Sequence, residues 1–238
     1  MNPGPEPRVV AVLGMHRSGT SWLAGSLQEL GLEMGEVSQS DPHNRKGNRE
    51  SPVLMALHDA VLTQSGGSWK RPPAACTWSP ERRAALAAHI AQMNASFPGG
   101  WGFKDPRALL LFEEWRRQVP RLDRVGIFRH PLAVHRSLVA RNPRFDEKRS
   151  LELWCAYNER LVAEHRRSGF PVLRFDVESS ALFEGLQSVA RTLRLPAADR
   201  SSSFFDAELV HNNDAAEEAI PRSCRALWDY LEAQVLRA

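Results

Sequence analysis

The chain has 238 residues, of which 42% are hydrophobic, and its formal net charge is only +3. This length suffices for one sizeable core, so we expect one α/β domain rather than two. So small a charge gives no support for nucleic acid as a partner. No apolar run approaches the ~20 residues that cross a bilayer, and residues 1–7 lack the features of a signal peptide. These observations predict a cytoplasmic protein without a membrane span.

The first half of the chain begins with one strand and is then mainly helical. After a disordered lead-in over 1–7, a β-branched run predicts a strand over 8–13. Apolar residues at helical spacing, with Pro or Gly near the helix ends, predict three helices: 18–30, 52–62 and 80–97. Two irregular stretches lie between them, 35–51 and 66–79. The first is long and polar, and such loops in compact domains are commonly functional.

The second half alternates strands and helices. Runs of apolar residues predict strands over 101–103, 124–129 and 171–175. Helices are predicted up to 120, from 131 onward, over 147–167 and over 182–193. This alternation predicts a single α/β domain over 8–238, with a central parallel sheet flanked by helices. Ligands of such sheets bind outside the carboxyl ends of the strands, where the loop after Leu13, Lys104 and Arg129 all fall.

Three cysteines occur, Cys76, Cys155 and Cys224. They are widely separated in the sequence. Their spacing predicts neither a metal site nor an obvious disulfide framework.

The loop between the first strand and the first helix is the most informative segment. Its spacing of Gly14 and Gly19, followed by Thr20 and Ser21, fits the nucleotide-binding P-loop, except that Thr20 replaces the usual lysine. The glycines and the following helix N-terminus can bring several backbone N–H groups to one anion. Arg17 is the only cation of the loop. The segment therefore predicts a P-loop-like domain that binds an anion other than a nucleoside triphosphate.

Residues 14–22 resemble the loop that binds the 5′-phosphosulfate in sulfotransferases that use 3′-phosphoadenosine 5′-phosphosulfate (PAPS). In that family a Lys or Arg precedes Ser-Gly-Thr, and Arg17 holds this place. The family also has an Arg at the end of a strand and a Ser eight residues later, which together bind the 3′-phosphate. Arg129 and Ser137 have that spacing. The joint occurrence of the two motifs is more specific than either alone.

Two weaker likenesses extend the resemblance. Lys104-Asp105-Pro106 is similar to a segment of tyrosylprotein and of several bacterial and carbohydrate sulfotransferases, in which the lysine lies near the transferring group. Residues 172–176 and the helix after them resemble a strand and a leucine-rich helix of the family. Phe175 stands where the family has a tyrosine, so a hydroxyl contact to the nucleotide would be missing. The resemblance runs from about residue 8 to about residue 196.

The resemblance implies an enzyme that moves a sulfuryl group from PAPS to an acceptor hydroxyl and releases adenosine 3′,5′-bisphosphate. Sulfate carries less charge than phosphate, so no metal is expected. The residues implied in binding the donor are His16, Arg17, Ser18, Gly19, Thr20, Ser21, Trp22, Arg129 and Ser137.

Charge develops on the leaving oxygen during this reaction, and Lys104 and Arg17 are the implied groups that stabilise it. Glu50 is the first candidate for the base that takes the proton of the acceptor, although a carboxylate there would also favour the start of the next helix. Further candidates for the base are Glu36, Asp105 and His58.

The acceptor stays open between a carbohydrate, a lipid-linked or secondary-metabolite alcohol and a peptidyl tyrosine. Trp69, Trp78 and Trp101 would suit an acceptor cleft, but core packing is the commoner role of such side chains. Two other functions fit the loop: a P-loop kinase of a small metabolite that uses ATP and Mg²⁺, and a non-catalytic nucleotide-binding module.

Overall fold

A computed structural model of the chain describes residues 6–40, 47–197 and 218–236. Most of the predicted lead-in, residues 1–5, lies outside the described residues, and the domain limits 8–238 stay a prediction. Among the described residues, no helix is long and apolar enough to cross a membrane.

Four strands form one sheet: β1 (Val9–Leu13), β2 (Trp101–Lys104), β3 (Leu122–Phe128) and β4 (Val172–Arg174). Their spatial order is β2-β1-β3-β4, and every adjacent pair is parallel. The predicted parallel sheet is therefore confirmed. In the register of the sheet, Val12 pairs with Lys104 and Leu13 with Gly126. The carboxyl ends of the three strands β1, β2 and β3 thus meet at one edge, as the sequence predicted.

The described residues contain eight α-helices: α1 (Thr20–Glu29), α2 (Pro52–Gln64), α3 (Pro80–Ser96), α4 (Phe112–Gln118), α5 (Pro131–Arg141), α6 (Glu147–Ser168), α7 (Ser179–Leu193) and α8 (Arg225–Ala233). The helix predicted up to residue 120 is split, because a 3₁₀ helix over Pro106–Leu111 precedes α4. The Asp105 side chain caps this 3₁₀ helix by accepting from the backbone N–H of Arg107. α8 was not predicted, although Trp228 and Leu231 are buried on one side of it at helical spacing.

Both faces of the sheet are buried, as the alternation of strands and helices requires. Val9, Ala11 and Leu13 of β1 belong to one hydrophobic core, and Val10 and Val12 belong to the other. The first core contains the apolar faces of α2 to α6 and α8, whereas the second contains those of α1 and α7. All five β1 side chains are buried, so β1 is a rigid support for the loop that follows it.

Two of the three cysteines lie in contact, which their sequence spacing did not indicate. The Sγ atoms of Cys155, on α6, and Cys224, just before α8, are 3.5 Å apart. Both residues are free thiols. The pair exists because α6 packs against the C-terminal helices, a contact that no sequence pattern specifies.

We expect mild oxidation to join this pair. Diamide, which removes two electrons and two protons from two thiols, should convert Cys155 and Cys224 to a disulfide. A bond that closes so long a loop should raise the free energy of unfolding by about 2–4 kcal/mol. Peptide mapping by mass spectrometry and thermal unfolding measure both effects. Cys76→Ser should form the disulfide like the wild type, whereas Cys155→Ser should show no increase in stability after oxidation. If the disulfide is absent from oxidised Cys76→Ser protein, the prediction is wrong.

Candidate active site

The loop after β1 is held so close to its neighbours that two of its residues must be glycines. A Cβ atom on Gly14 would lie 2.4 Å from the carbonyl oxygen of Ile127. Gly19 has a φ of 88°, and a Cβ atom there would lie 2.3 Å from the ring of Phe175. The helix α1 then starts at Thr20 without a side-chain cap. The first turn of α1 therefore presents backbone N–H groups and the positive end of the helix dipole.

Three buried polar atoms around this loop have no hydrogen-bond partner among the described residues: Ser18 Oγ, His16 Nε2 and Arg129 Nε. Buried polar atoms are nearly always hydrogen-bonded in proteins, and exceptions mark places where a ligand or water is needed. Ser18 Oγ and Arg129 Nε can donate hydrogen bonds, and together with the N-terminus of α1 they suit an anion.

Arg17, Ser137 and Arg129 come together at this position. The Nε of Arg17 donates to Ser137 Oγ at 2.8 Å, and Nη1 of Arg129 approaches the carbonyl oxygen of Arg17 at 3.4 Å. The guanidinium of Arg129 also lies over the ring of Phe175, 5.4 Å from its centroid. The two motifs that carried the resemblance, more than a hundred residues apart, thus form one cluster.

The burial of the Arg129 guanidinium is energetically unfavourable. Only 7% of Arg129 is exposed, and burial lowers the pKa of its guanidinium; Asp176 opposes this effect, whereas Arg17 and Arg136 lower the pKa further. A bound anion between the arginines would reduce their mutual repulsion and replace lost hydration. The cluster is therefore built to be completed by a negatively charged group.

A second cluster surrounds Lys104 at the end of β2. The Nζ of Lys104 donates to Glu50 Oε1 at 2.6 Å, to the carbonyl oxygen of Asn48 at 2.8 Å and to Ser21 Oγ at 3.1 Å. An ammonium group has three donors, so all of them are used. Because Ser21 belongs to the first turn of α1, Lys104 connects Glu50 directly to the anion-binding loop.

The predicted long loop, 35–51, places Asn48 and Glu50 over Lys104. Its described ends pair with each other: Ser38 N–H donates to the carbonyl oxygen of Glu50, and Arg49 N–H donates to that of Ser38. This backbone pairing fixes the segment in front of β2. The loop is thus part of the site rather than a plain connection.

Arg107 holds the other side of Glu50. Its Nη1 lies 3.2 Å from Glu50 Oε2 and 2.9 Å from Asp105 Oδ1, and its Nε donates to Asp59 Oδ1 at 2.7 Å. Sequence reasoning missed Arg107, although it directly follows the Lys104-Asp105-Pro106 segment. Its position there was the available signal.

Asp105 and His58 form a buried pair. Trp115 Nε1 donates to His58 Nε2 at 3.1 Å, and because an indole N–H can only donate, Nε2 is the unprotonated nitrogen. His58 Nδ1 therefore carries the proton and donates to Asp105 Oδ2 at 2.8 Å. Burial opposes ionisation of Asp105, but the hydrogen bond from His58 and the charge of Arg107 outweigh it, so its pKa lies below its usual range.

These bonds place two candidate bases out of reach of a substrate. The side chains of Asp105 and His58 have no exposed surface. Both oxygens of Asp105 and both nitrogens of His58 already have partners. Instead, the buried pair of Asp105 and His58 holds Arg107 in position. Glu36, in contrast, is exposed and lines a cavity that Lys104 also lines.

The remaining predicted residues have mixed surroundings. Trp22 is buried, with its ring 6.1 Å from that of Phe175, the ring that also lies against Gly19 of the loop. The rings of His16 and Trp69 are in contact, with centroids 4.3 Å apart and a tilt of 38° between their planes, and burial holds the pKa of His16 well below its usual value. Trp78 and Trp101 are buried core residues, and Trp101 also lines the cavity that Glu36 and Lys104 share.

No protein-family model matches the sequence, and no curated protein matches it significantly. Among solved structures, the sulfotransferase domain of the olefin synthase from Synechococcus PCC 7002 matches with a TM-score of 0.53 at 17% identity. The match covers 100% of this chain and 92% of that chain. The chain has a sulfotransferase fold. At this identity the match establishes the fold alone.

Two mycobacterial sulfotransferases match more loosely. STF9 from Mycobacterium avium gives a TM-score of 0.48 at 14% identity, over 97% of this chain and 77% of that chain. STF1 from Mycobacterium tuberculosis H37Rv gives a TM-score of 0.43 at 12% identity, over 86% and 72% of the two chains. The expected sulfotransferase fold is confirmed by the cyanobacterial match, and the activity has to be argued from the residues of the site.

The low pKa of Asp105 predicts how stability depends on pH. A carboxylate whose pKa is lower in the folded state stabilises the protein above its unfolded pKa, about 3.9, and this contribution is lost as the pH falls towards the folded pKa. Asp105→Asn should cost roughly 3–5 kcal/mol at pH near 7, since it breaks a buried ion pair. The variant should also lose less stability than the wild type between pH near 5 and pH near 3.

Urea unfolding at several pH values measures these differences. Asp59→Asn is the matched control, because Asp59 also pairs with Arg107 but its side chain is 47% exposed. Exposed pairs contribute only about 0–1 kcal/mol. Equal pH dependence in Asp105→Asn and the wild type would contradict the prediction.

Proposed function

We propose that the protein is a sulfotransferase that moves a sulfuryl group from PAPS to an acceptor hydroxyl and releases adenosine 3′,5′-bisphosphate. One observation carries the proposal: Arg17, Ser137 and Arg129 converge at the N-terminus of α1, beside buried polar atoms that have no partner among the described residues. The sulfotransferase fold supports it.

The donor would be bound through its two phosphate groups. The loop N–H groups, Ser18 and the hydroxyls of Thr20 and Ser21 are suited to the 5′-phosphosulfate end. Arg129 and Ser137 are suited to the 3′-phosphate. Arg17 belongs to the loop and is hydrogen-bonded to Ser137, so it would connect the two parts of the donor site.

The transfer step is a displacement at sulfur. The acceptor oxygen forms a bond to sulfur while the bond from sulfur to the bridging oxygen breaks, and its electron pair stays on that oxygen as part of the released phosphate. Lys104 would stabilise this developing charge by exchanging the hydrogen bond that it donates to Ser21 Oγ for one to the bridging oxygen. The acceptor proton goes to a carboxylate.

Glu50 is the carboxylate that we propose as the base. It lies beside Lys104 and is 5% exposed. Each of its oxygens accepts one hydrogen bond from a cation, which leaves a further acceptor position on each. Glu36 is the alternative, since it lines the cavity next to Lys104.

Binding of the released nucleotide tests the donor site. Isothermal titration should show that adenosine 3′,5′-bisphosphate binds in the presence of EDTA. Arg129→Ala should weaken this binding roughly 10- to 100-fold, which is the usual effect of losing a hydrogen bond to a charged group. Arg117→Ala is the control, because Arg117 is exposed and pairs only with Glu113 and Glu114 among the described residues.

Adenosine 5′-monophosphate sharpens this test, since it lacks the 3′-phosphate. Arg129→Ala should leave its affinity nearly unchanged. An equal loss for both nucleotides would contradict the assignment of Arg129. Binding of ATP with Mg²⁺, without binding of the bisphosphate, would favour the kinase. Bisphosphate binding without any transfer would favour a nucleotide-binding module.

The role of Glu50 is tested by release of bisphosphate from PAPS, which reports transfer to any acceptor, water included. Glu50→Gln should lower kcat by about 100-fold or more, since general-base catalysis contributes at least that much. Bisphosphate affinity should stay within about threefold, because the donor contacts are elsewhere. Glu36→Gln is the matched variant. If Glu36→Gln loses kcat and Glu50→Gln does not, the base is Glu36.

A further inference from the structure

A cavity of about 340 Å³ lies beside β2, the outermost strand of the described sheet. Its walls are β2, residues 33–37, the start of α2 and one side of α3. Apolar side chains form much of the lining: Met34, Val53, Leu54, Met93, Phe97 and Phe103. Val53 is 61% exposed, the exposed large hydrophobic side chain of the described residues. A mainly apolar cavity with a few polar groups is the usual form of a small-molecule site.

The cavity extends to the residues that we propose for the transfer step. Lys104, at the end of β2, is part of its wall, and so is Ser51, the neighbour of Glu50. A molecule in the cavity would therefore have one end at the group that we assign to the leaving oxygen. We propose that this cavity binds the non-reacting part of the acceptor, and that the acceptor is a small alcohol or phenol with an apolar part and no anionic group. This inference rests on the proposed sulfotransferase function.

The charges of the lining disfavour an anionic acceptor. Glu33 and Glu36 are both on the wall, and the ammonium of Lys104 is already paired with Glu50 at 2.6 Å. Burial lowers the pKa of His89, also on the wall, which favours its neutral form. Among the described residues that line the cavity, no cation remains to pair with an anion. A sulfated, phosphorylated or carboxylated group would lose its hydration without gaining a partner.

The size of the cavity favours a small acceptor. Small-molecule sites span about 300–1,000 Å³, and this one lies near the lower limit. It suits a molecule with one or two rings, or a medium-length alkyl chain. A polysaccharide or a peptide would leave most of its length outside.

Naphthol and decanol are suitable probes, and hydroxybenzoate is the anionic comparison. With the protein saturated with adenosine 3′,5′-bisphosphate, calorimetry should detect binding of naphthol and decanol, and much weaker binding of hydroxybenzoate. With PAPS, mass spectrometry should detect the sulfate ester of at least one uncharged probe. Glu33 is exposed. Glu33→Lys should reduce the difference in affinity between naphthol and hydroxybenzoate.

Gln92→Trp tests the place of binding. Gln92 is an exposed residue of α3 on the cavity wall, so a Trp there should obstruct the cavity without disturbing the core. Naphthol affinity should fall by roughly tenfold or more. Gln64→Trp makes the same change on α2, away from the cavity, and should have no effect. Equal bisphosphate affinity in the variants and the wild type checks that each one is folded.

The results separate the inference from the proposed function. If the bisphosphate binds and neither naphthol nor decanol does, the inference is overturned while the donor site stands. Equal naphthol affinity in Gln92→Trp and Gln64→Trp would also overturn it, as would preferred sulfation of an acidic peptide or a sulfated sugar. Absence of both bisphosphate binding and transfer would overturn the proposed function itself.

Discussion

The buried network of charges between β2 and the helices α2 and α4 is the constraint on which the site depends. Burying a charged group costs several kcal/mol unless it is paired and hydrogen-bonded. Here Glu50 lies between Lys104 and Arg107, and Arg107 also binds Asp105. His58 is the last member of this network, and it donates a hydrogen bond to the other carboxylate oxygen of Asp105. Because each charge depends on the next, the network fixes Lys104 and Glu50 in position. Under the proposed function, this fixed arrangement is the preorganisation that electrostatic catalysis requires.

The anion-binding cluster has the opposite character, because it is left incomplete. Gly14 and Gly19 allow the loop to approach β3 and Phe175 closely, and the arginines that meet there repel each other. An anion at this place would reduce the repulsion between the arginines. Ser21 joins the two clusters, since its hydroxyl contacts Lys104. Binding at the loop and chemistry at Lys104 can therefore be coupled over a single residue.

The sequence predicted the strands, most helices and the motifs around Arg17, Lys104 and Arg129, because each depends on local periodicity or on spacing within a short segment. It did not predict the partners of Arg107 or the tautomer of His58. Those depend on contacts between elements that are distant in the chain, such as the hydrogen bond from Trp115. The cysteine pair was missed for the same reason.

By itself, the sequence determined the α/β class, the glycine-containing loop after the first strand and the strand ends at which the candidate residues lie, since hydrophobic periodicity and glycine spacing are local properties. Only the tertiary structure decided which carboxylates remain available as candidates for the base. It buried Asp105 beside His58, paired Glu50 with Lys104 and placed Glu36 at the mouth of a cavity. The physical reason is that burial and pairing arise from the packing of helices against the sheet, and these decide which charged group can meet a substrate.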